Sequence, residues 1–485
     1  MLPVPNLLSL APLDVWARLL ARGGRRAWKG GGLRYVPRIA LALAISTLST
    51  LLTLPERLLC AGWFALRPRA RTDREVVVVT GYYRSGTTHL HNLLSCDRRF
   101  VTPRWAQALA PHGFVASWGV FNLITLPFLP NTRPQDDVPF GPAWPAEDDF
   151  ALAASDLVSP LPGRLLYPSQ RAHWARFHTL EGLTSSERAR WERALTRFVR
   201  KVAALRPGRT VLLKNPAHTA HPGALAELFE GRVRFIHIER ERAAVLDSNR
   251  RLHERLAPHR LEDAVPPEQL TAELEHELDD TLTRFSAQTT QLEAASDRPV
   301  VARVRFDDLV SEPVGTLRGA YETLGLAWTD ELERDVTRYH ALSRPGSANG
   351  GSSRSRRSSV GVLLAAPLAA CVCLAAWLGL AHQTGQRLDT TVWLWGWVIG
   401  LVTLRVERIG SPRVGAWCAA WTLALVAASI WPLPEVSAGW TGPDRIRNIR
   451  TAYLNKPTSV HVMIVLGVVT SWRLGSRRHA SPPGR

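Results

Sequence analysis

Cysteine is scarce in this chain, and its scarcity removes two classes of protein. Five cysteines stand among 485 residues, without the CxxC spacing of a zinc site or the density of a disulfide framework. Cys371 and Cys373 lie inside an apolar run, where they are interpreted as small buried side chains. The sequence therefore predicts a reducing compartment and no metal site.

Carboxylates are outnumbered as well. The chain has 42 Asp and Glu against 60 Lys and Arg, which gives a net charge of +18. Such a surplus favours an anionic partner, and charge alone does not choose among a nucleotide, acidic lipids and nucleic acid. Many arginines border apolar runs, as membrane-flanking anchors do. They include Arg354, Arg356, Arg357, Arg473, Arg477 and Arg478. We expect a membrane partner and no nucleic acid.

Residues 1–71 form a basic and apolar N-terminal region that is interpreted as helical. Its apolar run, Ile39 to Pro55, holds 17 uncharged residues, fewer than the roughly 20 that cross a bilayer. The run starts too late for an ordinary signal peptide and ends at Pro55 and Glu56. We expect a buried or interfacial helix, and the arginines upstream favour contact with an anionic bilayer face.

Residues 72–342 have the composition of a soluble α/β domain. Runs that are apolar at nearly every position are typical of buried parallel strands, and segments of helical period separate them. The predicted strands are Val76 to Thr80, Thr210 to Leu213, Val233 to Ile238 and Val300 to Phe306. A capping box from Thr184 to Glu187 and the sequence Pro266-Pro267-Glu268 each open a predicted helix. The predicted fold class is α/β, with a P-loop-like, doubly wound parallel sheet flanked by helices.

The C-terminal region is predicted to be transmembrane and helical. Residues 343–359 are rich in Gly, Ser and Arg and form a predicted linker. Residues 360–485 hold four uncharged apolar stretches, two of which reach the roughly 20 residues that cross a bilayer. These stretches are Val360 to His382, Thr390 to Leu404, Val414 to Pro434 and Pro457 to Trp472. We therefore expect two to four spans, and the positive-inside rule places the domain of residues 72–342 in the cytoplasm.

A glycine-bracketed loop follows the first predicted strand. It reads GYYRSGTT from Gly81 to Thr88, and a helical run follows. In such a loop the backbone N–H groups and the positive end of the helix converge on one anion, and Ser and Thr hydroxyls add donors. A nucleotide triphosphatase would carry a lysine where this chain has Thr87. The pattern therefore predicts a phosphate-binding loop and disfavours hydrolysis of ATP or GTP.

The loop resembles the 5'-phosphosulfate loop of the sulfotransferase superfamily, which has the form Lys/Arg-Ser-Gly-Thr-Thr at the start of a helix. Three more segments are similar to the bacterial-type branch of that superfamily. They are FGPAWPAEDDFAL from Phe140, LKNPAHT from Leu213 and VRFDDL from Val304, the last of which is interpreted as structural. The resemblance spans residues 75 to 330. It implies 3'-phosphoadenylyl sulfate as co-substrate, and a hydroxyl or amine as the acceptor of the sulfuryl group.

The resemblance also implies roles for individual residues. An Arg just past a strand and a Ser two helical turns onward hold the 3'-phosphate in the family. The residues implied to bind the nucleotide are Arg84, Ser85, Gly86, Thr87, Thr88, Arg240 and Ser248. Negative charge builds on the bridging oxygen during sulfuryl transfer, and Arg84 and Lys214 are the cations predicted to stabilise it.

The acceptor needs a base, and the base common in the family is missing. Several related sulfotransferases carry a Trp-Glu pair after the loop helix, but here Trp105 is followed by Ala106. Glu147 is the first replacement predicted because its segment matches the family, and His218 is the second because it follows Lys214. The other candidates are Asp148 and His112.

Two further functions stay open at the level of the residues. A P-loop kinase-like phosphotransferase would share the fold and the loop, although no metal-binding aspartate ends the strand from Val233 to Ile238. A catalytically impaired, membrane-bound nucleotide-binding protein would account for Ala106. The acceptor, whether lipid, glycan or small molecule, and the oligomeric state are left open.

Overall fold

The computed structural model describes residues 6–27, 32–66, 74–115 and 141–343, with short helical pieces at 366–373, 395–396, 398–399, 416–423 and 467–468. The predicted linker and most of the predicted spans lie outside these residues. The chain divides into two compact units. One comprises Met1–Asn122, Thr132–Arg344 and Pro482–Arg485, and the other comprises Leu123–Asn131 and Pro345–Ser481.

A parallel sheet forms the centre of the first unit. Its strands are β1 Val76–Thr80, β2 Phe100–Val101, β3 Thr210–Lys214, β4 Val233–Glu239 and β5 Val301–Arg305. They lie in the order β2-β3-β1-β4-β5, and β1 pairs in parallel with β3 and with β4. All of β1 is buried, as its run of valines requires of a strand covered on both faces. Ligands of such sheets bind beyond the carboxyl ends of the strands, at the point where the strand order reverses.

Helices flank the sheet. The N-terminal ones are α1 Leu13–Ala27 and α2 Val36–Leu66, and α3 Thr87–Leu94 and α4 Trp105–Leu109 follow β1 and β2. Between the glycine-rich loop and β4 lie α5 Asp148–Asp156, α6 Leu161–Leu165, α7 Arg171–Thr179, α8 Ser185–Ala204 and α9 Pro222–Leu228. After β4 come α10 Arg242–Arg255, α11 Pro267–Ala294, α12 Phe306–Ser311, α13 Pro313–Thr323 and α14 Asp330–Ser343.

Alternate residues of the strands face two different layers. Val77 and Val79 of β1 belong to a buried cluster with Leu90 and Leu93 of α3. On the opposite face, His237 of β4 stacks on Phe285 of α11, with 4.0 Å between the ring centroids. The sheet is therefore covered on both sides, which confirms the predicted fold class.

The predicted elements of residues 72–342 are confirmed with small shifts at their ends. The capping box forms at α8, where the Glu187 N–H donates to Thr184 Oγ1 at 3.2 Å and the Thr184 N–H donates to Glu187 Oε2 at 2.9 Å. α11 begins at Pro267 as expected. The two-residue strand β2 was not predicted.

The N-terminal helix is longer than the apolar run in the sequence. α2 passes through Pro55 and continues to Leu66, beyond the end of that run at Pro55 and Glu56. Proline removes one helical hydrogen bond, but the next residue is held by the domain. The buried Glu56 carboxylate accepts from Lys201 Nζ at 3.0 Å and from the N–H groups of Phe114 and Val115 at 3.0 and 2.9 Å. Within the described part of the chain, one helix is long and apolar enough to cross a membrane, over Val36–Phe64.

Candidate active site

The loop between β1 and α3 bends through a series of positive φ angles. Gly81, Arg84 and Gly86 have φ of 142°, 71° and 106°. A Cβ on Gly86 would lie 2.4 Å from Phe306 Cδ2, and a Cβ on Gly81 would lie 2.8 Å from the carbonyl oxygen of Ile238. Both positions therefore require glycine for close approach as well as for φ. The segment has the predicted order of strand, loop and helix.

Hydrogen bonds from neighbouring elements hold the loop in this shape. The Ser85 hydroxyl donates to the Tyr82 carbonyl at 2.7 Å, so it braces the turn from within. The Gly81 N–H donates to Thr219 Oγ1 at 2.8 Å, and Asn249 Nδ2 donates to the Tyr83 carbonyl at 2.8 Å. The loop is thus fixed by residues that follow β3 and by α10.

The residues predicted to hold the two ends of the nucleotide meet at the carboxyl ends of β1 and β4. Arg84 Nε donates to Ser248 Oγ at 2.9 Å, and Arg240 Nη1 donates to the Arg84 carbonyl at 3.0 Å. The Arg240 guanidinium also lies over the Phe306 ring, 4.3 Å from its centroid. Two guanidinium groups and a hydroxyl therefore form one cationic cluster beside the loop.

The predicted cation and the first predicted base are in direct contact. Lys214, at the end of β3, is almost fully buried and forms an ion pair with Glu147, which precedes α5. Lys214 Nζ also donates to Thr88 Oγ1 at 3.2 Å, in the first turn of α3. The ammonium group thus links a carboxylate to the helix that the loop opens.

The second predicted base lies behind this pair, out of contact with solvent. The side chains of His218 and Asp148 are 0% exposed and are joined by a bond of 2.8 Å between Nε2 and Oδ2. His218 Nδ1 lies 3.1 Å from His221 Nε2, and His221 Nδ1 lies 2.8 Å from the carbonyl oxygen of His178. A carbonyl only accepts, so His221 Nδ1 carries a proton. Burial lowers the pKa of His221 well below its ordinary value, so this imidazole is neutral and its Nε2 accepts from His218.

This series of hydrogen bonds requires a proton between His218 Nε2 and the Asp148 carboxylate. Because His218 Nδ1 donates to His221, the contact between His218 Nε2 and Asp148 needs one further proton, held by either group. The pair braces α5 against the residues after β3, and it does not line the cavity described next. His112 is half-buried and does not line that cavity either, and desolvation lowers its pKa to about 4.

A cavity of about 280 Å³ opens in front of the loop. Of the predicted site residues, those that line it are Arg84, Gly86, Thr87, Thr88, Glu147 and Arg240. Ser85, Lys214 and Ser248 stand behind these residues and contact the loop or Glu147. The rest of the wall is largely apolar, and includes Leu7, Phe150, Leu161, Leu165, Leu252 and Leu256. The cavity lining therefore combines cationic groups with apolar side chains.

His89 and Arg164 are among the cavity residues that the sequence analysis did not single out. His89 lines the cavity, and burial lowers its pKa to about 4, so its imidazole is neutral at pH 7. Arg164 is 5% exposed, lies 3.6 Å over the Tyr83 ring and pairs with Glu277, while its Nη2 has no hydrogen-bond partner among the described residues. An isolated Arg in a short helix carries no sequence signal of such a role.

The sheet, the loop and the cationic cluster define a P-loop-like α/β protein without the lysine of nucleotide triphosphatases. The family described as "Sulfotransferase family" matches residues 76–330, more than half of the chain. This chain therefore belongs to the sulfotransferase family. In the described ranges, no group of three or more His, Cys, Asp or Glu side chains is arranged to hold a metal ion.

Individual relatives are similar over part of their length. The omega-hydroxy-beta-dihydromenaquinone-9 sulfotransferases Stf3 of Mycobacterium bovis and Mycobacterium tuberculosis are each 30% identical over 250 residues, which cover 52% of this chain and 62% of the relative. The solved sulfotransferases STF1 of M. tuberculosis and STF9 of Mycobacterium avium are each 19% identical with a TM-score of 0.48. Each of these covers 68% of this chain, and the match takes in 93% and 88% of the two solved chains.

Proposed function

We propose that this enzyme transfers the sulfuryl group of 3'-phosphoadenylyl sulfate to a hydroxyl group of an apolar, lipid-like acceptor. The observation that carries the proposal is the cavity, whose lining combines Glu147 and the loop residues with several leucines. The cationic groups suit a nucleotide with two phosphate groups, and the apolar side chains suit a hydrocarbon chain. The Stf3 relatives are named for a hydroxylated menaquinone, which has this character.

The donor is assigned to the loop and the cluster beside it. The backbone of Gly86 to Thr88 and the start of α3 suit the 5'-phosphosulfate, and Arg240 with Ser248 suits the 3'-phosphate. Arg84 lies between the two, because its side chain bonds Ser248 and its carbonyl accepts from Arg240. This arrangement supports one nucleotide spanning the carboxyl ends of β1 and β4.

Glu147 is the proposed base. It would take the proton of the acceptor hydroxyl while the hydroxyl oxygen attacks sulfur and the bond from sulfur to the bridging phosphate oxygen breaks. Lys214 touches both Glu147 and Thr88, so its charge is available to the leaving oxygen as negative charge builds there. Arg164 would donate from Nη2 to a second oxygen of the acceptor and orient it. The proposal makes Ala106 compatible with turnover, because the carboxylate comes from another segment.

The other proposed properties concern membrane and compartment. The C-terminal residues 360–485 are proposed to be embedded in a membrane, and the catalytic domain of residues 72–342 to face the cytoplasm. Membrane attachment would bring the cavity near lipid acceptors.

The test combines donor binding with transfer. Calorimetry with adenosine 3',5'-bisphosphate and transfer of ³⁵S from the labelled donor to membrane lipids would compare wild type with Arg84→Ala and Glu147→Gln. The exposed Arg193 of α8 gives the matched control Arg193→Ala. We expect Arg84→Ala to lose donor affinity. Glu147→Gln should keep that affinity and lose about 10²- to 10⁴-fold in transfer rate.

Different outcomes contradict different parts of the proposal. If the wild type does not bind the bisphosphate, the donor is wrong. If Glu147→Gln transfers sulfate at the rate of the control, Glu147 is not the base. If label is recovered only in water-soluble products, the acceptor is not lipid-like.

A further inference from the structure

The polarity of α2 is reversed relative to an ordinary surface helix. The face toward the domain carries small and polar side chains that are at most 3% exposed, namely Ala42, Ser46, Ser49, Thr53 and Glu56. The outward face carries large apolar side chains, namely Leu48, Leu51, Leu54, Leu58, Leu59 and Trp63. Leu51, Leu58 and Leu59 are 65%, 65% and 70% exposed. A helix of a soluble domain buries its apolar stripe instead, so these outward leucines need a partner.

The inner face bonds first to the segment before α1 and then, farther along the helix, to the catalytic domain. Ser46 Oγ donates to the Ala11 carbonyl at 2.6 Å, and Ser49 Oγ donates to the Leu10 carbonyl at 2.8 Å. Nearly three turns after Ser46, Glu56 pairs with Lys201 of α8 at 3.0 Å, where both side chains are buried. Crossing a bilayer in this arrangement would carry the ion pair and α8 into hydrocarbon, at a cost of several kcal/mol. The bonds therefore favour a helix that lies along the domain.

Charge identifies the partner of the outward face. Between residues 15 and 72 the sequence has one carboxylate, Glu56, and it has eleven Lys and Arg residues. Glu56 is turned inward, so the sequence that flanks these leucines carries a surplus of positive charge. Basic residues around an apolar helix face suit an anionic leaflet, whereas a second copy of the same basic surface would be repelled.

We propose that α2 is a monotopic docking surface, whose outward leucines enter one leaflet of an anionic bilayer while its polar face stays bound to the catalytic domain. This inference does not depend on the chemistry proposed above. It adds a membrane contact within the N-terminal unit, separate from any span formed by residues 360–485.

Photocrosslinking of the full-length chain tests the partner. A benzoylphenylalanine would replace Leu51 or Leu58 in turn, in vesicles of phosphatidylglycerol and phosphatidylcholine. Leu282 of α11, which is 41% exposed on another helix, gives the matched control. We expect lipid adducts at positions 51 and 58, loss of these adducts in pure phosphatidylcholine, and no adduct at position 282.

The alternatives produce other adducts. A covalent dimer would identify a second copy, and a crosslink within the chain would identify a segment of the same protein. Either outcome overturns the proposal, as does the absence of any adduct at both positions. If α2 crossed the bilayer away from the domain, Lys201→Met would leave thermal stability unchanged, whereas the docked helix predicts a lower melting temperature.

Discussion

Replacing Gly86 by alanine should separate the two reasons for glycine in the loop. At φ of 106° an alanine is strained by about 1–2 kcal/mol. Its Cβ would also lie 2.4 Å from Phe306 Cδ2, and overpacking of this kind adds about 1–3 kcal/mol. The expected loss of unfolding free energy for Gly86→Ala is therefore about 2–5 kcal/mol, the sum of these two effects.

Gly208 provides the matched control. It has φ of 86°, but a Cβ there would meet no atom within 4 Å. Gly208→Ala should thus show the backbone strain alone, about 1–2 kcal/mol in urea unfolding. Calorimetry with adenosine 3',5'-bisphosphate completes the assay, because only Gly86 lies at the proposed donor site. We expect Gly86→Ala to lose affinity and Gly208→Ala to retain it.

A double variant identifies the atom responsible. Phe306→Ala removes the ring that the new Cβ would strike, so Gly86→Ala with Phe306→Ala should lose less stability than the two single losses added. Equal losses for Gly86→Ala and Gly208→Ala would refute the role of close packing. Additive losses in the double variant would refute the role of Phe306.

Three further perturbations have expected outcomes of their own. Lys201→Met should lower the unfolding free energy by about 3–5 kcal/mol, because it leaves the Glu56 carboxylate buried without a counter-charge. The double variant Glu56→Gln with Lys201→Met should recover most of this loss. Urea unfolding that shows no coupling between the two substitutions would contradict the role of the ion pair. Burial raises the pKa of Asp149 to about 7, so the wild type loses stability as pH rises from about 4 to about 7, by up to ~1.4 kcal/mol per pH unit. The unfolding free energy of Asp149→Asn relative to the wild type should therefore increase over that pH range. A difference that does not change with pH would contradict the raised pKa of Asp149. Arg164→Met should raise the KM for the acceptor about tenfold, because a charged hydrogen bond is lost. An equal loss of donor affinity would contradict the assignment of Arg164 to the acceptor.

The sheet was predictable because its inner strands leave a strong local signal. β1, β3 and β4 have strand neighbours on both sides, so apolar residues dominate them, and the loop after β1 is bracketed by glycines. β2 is two residues long, Phe100 and Val101. A pair of apolar residues has no period, so this strand exists only through its pairing with β3.

Tertiary contacts decided what the sequence could not show. Glu147 and His218 had comparable support as bases, but the fold places Glu147 in the cavity and joins His218 to Asp148 behind it. The uncharged run ends at Pro55 and Glu56, but α2 continues beyond it, and Glu56 bonds to α8 and to residues 114–115. The position of Arg164 depends on α6 and α11 meeting at Tyr83, and local sequence does not encode such a meeting.

The reversed polarity of α2 affects how topology is counted in chains of this kind. A hydropathy profile averages all sides of a helix, so it cannot distinguish one that turns serines inward from one that lipid surrounds. Each helix counted wrongly as a crossing changes the parity of the count, and every later loop is then assigned to the opposite side of the bilayer. Side assignments in similar chains should therefore start from the first apolar helix whose polar residues are free of the folded domain.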